Sequence, residues 1–212
     1  MAELSARMHL RQYARRAMVL DKQSSAGELG FLLEGRLQGV DFTVDGRSVG
    51  LYFVEAGDYF GELAVLDEKE PSEFVVAAAR STVAFLDGPK AREMILRHPQ
   101  IANSVMLRMA SRVRSALAQR TLLSIANPFQ RLCALLLQLP QVTHASGVSE
   151  IQQVPTHQEL AIMINASRET VTRGFQLLFT QEAISREGDT LRLSKVHLLQ
   201  DIAEGRATAP RS

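Results

Sequence analysis

Cysteine occurs once in these 212 residues, as Cys133. A single thiol forms neither an intrachain disulfide framework nor a cysteine metal cluster, and an iron-sulfur centre, which needs several cysteines, is excluded. Its setting in the apolar run L-C-A-L-L-L marks it as a core side chain rather than a nucleophile. Long hydrophobic runs are also missing: no stretch of about 18 apolar residues occurs. The beginning, M-A-E-L-S-A-R-M-H-L, lacks the apolar centre of a signal peptide. These absences predict a cytoplasmic protein with no membrane partner. An excess of charge of one sign is lacking too, since the net charge is +1. From Pro128 to Gln200 six basic residues (Arg131, Arg168, Arg173, Arg186, Arg192, Lys195) face six acidic ones. Such a segment has little general affinity for phosphate, so nucleic-acid binding would rest on a few placed contacts and on dimerisation. With 46% hydrophobic and 22% charged residues the composition is that of a globular protein long enough for two cores.

The front half is rich in punctuation. Glycines recur at Gly27, Gly30, Gly35, Gly39, Gly46, Gly50, Gly57, Gly61 and Gly88, between short apolar runs. That spacing predicts a β-sandwich or barrel with tight turns. F-L-L-E-G-R-L, R-S-V-G-L-Y-F-V and F-V-V-A-A-A-R-S-T-V-A-F-L are its clearest strands. Between them G-D-Y-F-G-E-L-A-V-L-D reads as a turn opening into a short helix, with free amides that suit an anion. From His98 to Asn127 the period becomes helical, and Ile101, Val105, Met109, Arg112, Ala116 and Leu123 follow roughly a 3.5-residue repeat. That stripe suits a seam with a second copy or burial within its own subunit. Asn127-Pro128 reads as an N-cap followed by proline at the first helical position, so a new helix begins after a hinge.

The back half carries the most specific pattern, P-T-H-Q-E-L-A-I-M-I-N-A-S-R-E-T-V-T-R-G-F-Q-L-L-F from Pro155 to Phe179. Thr156 N-caps a first helix with Glu159 completing a capping box and Pro155 and Leu160 placed as a staple. Asn165 and Ala166 make a turn, and Ser167 caps a second helix with Val171, Phe175 and Leu178 on one face. The opposite face presents Arg168, Glu169, Thr172 and Arg173 within two turns, where a recognition helix meets base edges. Arginine donates twice to guanine and glutamate accepts from cytosine N4; a solvated face of ion pairs is the other reading. Thr143 to Glu150 is expected as a loop, and Ala183 to Ser194 as a β-hairpin wing whose Arg186, Arg192 and Lys195 suit phosphates.

The order of barrel, long helix, hinge and winged helix-turn-helix resembles the CRP/FNR superfamily of bacterial transcription regulators. G-D-Y-F-G-E-L and S-R-E-T-V-T-R are the strongest matching motifs, and the likeness covers nearly the whole chain. It implies an α+β fold: a jelly-roll barrel like those that bind cyclic nucleotides over residues 1–97, a dimerisation helix and hinge over 98–127, and a winged helix-turn-helix domain over 128–212. It implies base reading by Arg168, Glu169 and Arg173, with Thr156, Gln158, Ser167 and Thr170 on phosphates. A homodimer joined through 98–127 on a palindrome of TGTGA-like half-sites follows, its recognition helices about 34 Å apart, with RNA polymerase as a further partner.

In the effector pocket that includes Gly61, Glu62 and Leu63, the chain departs, beyond that matching motif, from the members that bind cyclic AMP. Their phosphate-holding Arg-Ser/Thr pair falls here at Ser72 and Glu73, and their adenine-contacting hydroxyl pair at Ala116 and Leu117. A lost cation and a gained carboxylate weigh against cyclic AMP as a ligand. Glu62 matches the family's ribose-contacting Glu and equally suits capping of the short helix. The family's haem branch offers His9, His98, His144, His157 and His197, without a diagnostic spacing. These readings predict a DNA-binding regulator rather than an enzyme; a ligand-binding or protein-interaction module with a vestigial helix-turn-helix is the alternative.

Overall fold

The computed structural model describes residues 8–23, 27–46, 48–143 and 149–207. Two compact units divide the chain, Met1–Leu117 and Ala118–Ser212.

In the first unit the short apolar runs form two four-stranded sheets that face each other. One has the order β1 (His9–Tyr13), β8 (Ser81–Asp87), β3 (Glu28–Glu34), β6 (Tyr59–Phe60); the other β2 (Met18–Leu20), β7 (Phe74–Ala77), β4 (Arg36–Phe42), β5 (Ser48–Glu55). Every pairing is antiparallel. Alternation within the strands sends Leu32, Leu37, Val54, Val75, Val83 and Phe85 into one core with Phe60. The run from Phe74 to Leu86 is two strands rather than one, because Ala78–Arg80 turns the chain from the second sheet into the first.

Between β6 and β7 lies the short helix α1 (Glu62–Asp67), and after β8 the helix α2 (Gly88–Arg97). Asp87 caps α2 by accepting from Lys90 N, and Pro89 lies in its first turn. Next comes α3 (Pro99–Ser124), the long helix. Its seam differs from the stripe expected of it. Ile101, Val105 and Met109 pack on Leu29, Val65, Leu86, Ala91 and Ile95 of their own unit, and Arg112 also turns toward the barrel. The large apolar side chains left exposed are Met106, Leu107, Val113 and Leu117. Two apolar stripes share this helix, and spacing alone does not say which one the barrel covers.

The second unit holds the last turns of α3, then α4 (Pro128–Gln138), β9 (Val142–Thr143), β10 (Ser149–Ile151), α5 (His157–Met163), α6 (Arg168–Thr180), β11 (Ile184–Glu187), β12 (Thr190–Leu193) and α7 (Val196–Ala203). Asn127 caps α4 through Phe129 N at 2.8 Å, with Pro128 at the first position. The expected loop before the helix-turn-helix instead supplies two strands, because Ser149–Ile151 pairs with β12 on one side and with β9 on the other. Residues 144–148, the middle of that expected loop and including His144, lie outside the described residues. The wing hairpin forms as β11 and β12 around Gly188 at φ 58°. Leu132, Leu136, Ile151, Leu160, Leu178 and Leu199 form its buried interior with Cys133, whose thiol burial pushes up to about 12.

Candidate nucleic-acid interface and effector pocket

The helix-turn-helix forms with both expected N-caps and the capping box in place. Thr156 Oγ1 accepts from Glu159 N at 3.4 Å and Glu159 returns a carboxylate to Thr156 N at 2.6 Å. Asn165 takes φ 48° in the turn, a conformation asparagine tolerates. Ser167 caps α6 by accepting from Thr170 N at 3.1 Å. Val171, Phe175 and Leu178 are buried, and Gly174 lets α6 approach α4, since a Cβ there would lie 2.6 Å from Leu132 Cδ2. With that face committed to the core, Arg168, Glu169 and Arg173 stand exposed together on the other. Thr156, Gln158 and Ser167 are also exposed, whereas Thr170 is half-buried. The amide of Glu169, the Ser167 hydroxyl and Arg168 and Arg173 hold the Glu169 carboxyl below its usual range, so it meets a ligand as an acceptor. Thr172, read as a groove-facing residue, is half-buried: its hydroxyl donates to Arg168 O at 3.0 Å and lies 2.9 Å from His157 Nδ1.

Among the effector candidates, Glu62 and Glu73 come together, Ser72 and Leu63 stay exposed beside them, and Gly61 is buried with φ 85° as the N-cap of α1. What joins the two carboxylates is Arg112 of α3. Its Nη1 lies 2.9 Å from Glu62 Oε1 and 3.7 Å from Glu73 Oε1. Its Nη2 donates to Tyr59 O at 2.8 Å, and its guanidinium sits 4.3 Å from the Tyr52 ring centre. The Tyr52 hydroxyl donates to Glu73 Oε1. Burial, more than its anionic neighbours, pushes the Tyr52 hydroxyl far up, so it stays a donor. Gly39 makes room for that ring: a Cβ there would lie 2.6 Å from Tyr52 Cε1. Burial also pushes the Glu62 carboxyl up against the pull of Arg112. Thus Glu73 is not a bare carboxylate facing a vacant phosphate site, as the sequence suggested, but one side of a clamp on Arg112. Ala116 and Leu117 lie on the exposed side of the same helix.

Two family models match the chain, the cyclic nucleotide-binding domain over residues 10–98 and the Crp-like helix-turn-helix domain over residues 130–202. The chain belongs to the CRP/FNR superfamily. Its relatives include the cAMP-activated global transcriptional regulator CRP of Pasteurella multocida, 26% identical over 185 residues, with 86% of this chain and 88% of the relative covered. The cAMP-activated global transcriptional regulator Vfr of Pseudomonas aeruginosa is 27% identical over 197 residues, covering 89% and 91%. A solved CooA mutant from Carboxydothermus hydrogenoformans shares the fold at TM-score 0.79 and 16% identity, covering 96% of this chain and 90% of that one. The chain is therefore a DNA-binding transcription regulator of the CRP family, and its relatives are regulators rather than enzymes. Among the described residues no helix is long and apolar enough to cross a membrane.

Within this CRP/FNR chain the structure adds a residue that sequence reading counted only as a charge. Arg131 on α4 donates to Ile125 O at 2.7 Å and Ala126 O at 3.2 Å in the hinge, and to Ile164 O at 2.8 Å and Asn165 O at 3.2 Å in the helix-turn-helix turn. Gln119 near the end of α3 adds a bond from Nε2 to Met163 O at 2.7 Å. The Arg three residues beyond the proline of an N-P helix start was the available signal. The wing's cations are partly committed: Arg192 pairs with Glu150 and Glu187, and Lys195 donates to Gln181 O at 2.7 Å. The histidines considered for haem have separate roles. His9 pairs with Glu28 and stacks on Phe85, His98 ends α2, and His157 packs on Phe175. His197 is exposed on α7.

Proposed function

We propose that this regulator acts as a homodimer that reads a palindromic, TGTGA-like site through α6, and that cyclic AMP is not its effector. The observation that carries the reading is the exposed Arg168, Glu169 and Arg173 set on a helix whose other face is buried. These side chains match guanine and cytosine edges in the major groove, while Thr156, Gln158, Ser167 and Thr170 fix the register on phosphates. Residues 1–97 serve as the sensor barrel, 98–127 as the dimer helix and hinge, and 128–212 as the DNA-reading domain, in a cytoplasmic protein that addresses RNA polymerase from its operator. Two features support exclusion of cyclic AMP. Glu62 and Glu73 already share the Arg112 cation, and Ser72, exposed and uncharged, supplies no cation for a phosphate.

The test is binding of the full-length protein to a TGTGA-type inverted repeat at fixed salt, with scrambled DNA and Arg168→Ala as controls. Arg168→Ala removes one bidentate base contact, worth about 1–3 kcal/mol, from each half-site, so it weakens binding of the palindrome by about 2–6 kcal/mol, roughly 30- to 25,000-fold, and leaves scrambled DNA nearly unaffected. Cyclic AMP leaves both affinities unchanged. An operator affinity that rises with cyclic AMP, or one indifferent to Arg168→Ala, contradicts the reading.

A further inference from the structure

Among the described residues Glu62 is the most deeply buried charged residue of the first unit, at 0% exposure, yet neither carboxylate oxygen accepts an aligned hydrogen bond. Such a group is costly unless something satisfies it. Its neighbour Arg112 is close enough for an ion pair, but the geometry is that of a tethered side chain: the Nε–H has no acceptor and the Nη1–H is not aligned with Glu62. Around that guanidinium stand the elements that recognise a planar, delocalised cation. The Tyr52 ring lies against its face, Glu62 and Glu73 border Nη1, and the Tyr59 carbonyl takes Nη2. The Tyr52 hydroxyl anchors Glu73, and Gly39 leaves room for the Tyr52 ring. Two carboxylates, one carbonyl and one aromatic face suit a guanidinium and repel an anion.

We propose that the Tyr52, Glu62 and Glu73 socket of the barrel is a guanidinium site filled in cis by Arg112, and that with the Arg112 side chain removed the class of small molecule it accepts is an alkylguanidinium or amidine cation. A free guanidinium, not bound to the geometry of α3, aligns two N–H groups with Glu62 where Arg112 aligns none. The claim concerns the barrel alone and does not depend on what α6 reads.

The test uses the full-length protein without DNA. Arg112→Ala leaves Glu62 and Glu73 uncompensated and lowers the unfolding midpoint by roughly 5–15 °C. Millimolar methylguanidinium chloride restores part of that loss in Arg112→Ala, whereas methylammonium chloride at equal ionic strength does not. It does nothing for an Arg112→Ala/Glu62→Gln double variant. Should Arg112→Ala fail to fold, Arg112→Gln serves instead: it keeps part of the stem, carries no cation, and shows the same selective recovery. Equal recovery with both salts, no recovery in either variant, or a variant as stable as the parent overturns the site. The DNA-reading proposal fails separately, on the Arg168→Ala operator measurement, and Arg168→Ala leaves the unfolding midpoint unchanged.

Discussion

His157 shows how a single side chain ties the two helices of the DNA-reading motif together. The Thr172 hydroxyl donates to Arg168 O, so its oxygen is left to accept, and Nδ1 of His157 must carry the proton that meets it. The ring packs 4.6 Å from Phe175, centre to centre. Burial first, then Arg186 and Arg168, hold the imidazolium below its usual range. The fold therefore prefers the neutral ring. Its contribution to stability is fully present above the unfolded value near 6.5 and is lost as pH falls through the lower folded value. His157→Gln keeps a donor for Thr172 and removes the titration. Thermal unfolding of both proteins at pH 7.5 and 5.5 is the measurement: the parent's advantage over the variant shrinks at the lower pH. An advantage that stays constant, or grows, would show that protonation at His157 is not linked to folding.

At the scale of elements, the angle between α5 and α6 depends on a clamp outside either helix. Arg131 binds four carbonyls, two in the hinge and two in the turn. Arg131→Met keeps the stem and removes every donor. The carbonyls are partly reached by water, so a global loss of about 1–3 kcal/mol is expected, together with faster hydrogen exchange at Ile125–Asn127 and Ile164–Ala166. Unchanged exchange there would mean that the hinge and turn hold themselves. The contrast between this clamp and the caps shows what was legible in the sequence. Thr156, Asn127 and Ser167 act on amides two or three residues away, so short-range pattern identifies them. Arg131 reaches a turn more than thirty residues distant and Arg112 a strand sixty residues back, and no local period records such contacts. The same limit explains α3. Periodicity locates the helix, but the choice of covered face is made by Leu29, Val65 and Leu86 from elsewhere in the chain. It explains β10 too, a three-residue strand recognised only through its partners β9 and β12.

For the whole molecule, the exposed stripe of α3 is the surface on which the proposed homodimer depends. Met106, Val113 and Leu117 are 60%, 60% and 58% exposed, and with half-buried Ala110 between them they recur at steps of four, three and four residues. That is the spacing of a coiled-coil seam. A two-fold axis along it lets one apolar stripe meet its own copy, which is the self-complementary contact of a closed dimer. Because Ile101, Val105 and Met109 face the barrel, the seam and the barrel contact use opposite sides of α3 and do not compete. A charge on the stripe should therefore separate the copies without unfolding the barrel. Val113→Glu is expected to sediment as a monomer at micromolar concentration, to keep the far-ultraviolet spectrum of the parent, and to bind a two-half-site operator no more tightly than one half-site. A dimer that persists in Val113→Glu places the interface elsewhere, and a monomer that still prefers the full palindrome would remove dimerisation from the account of how this chain reads DNA.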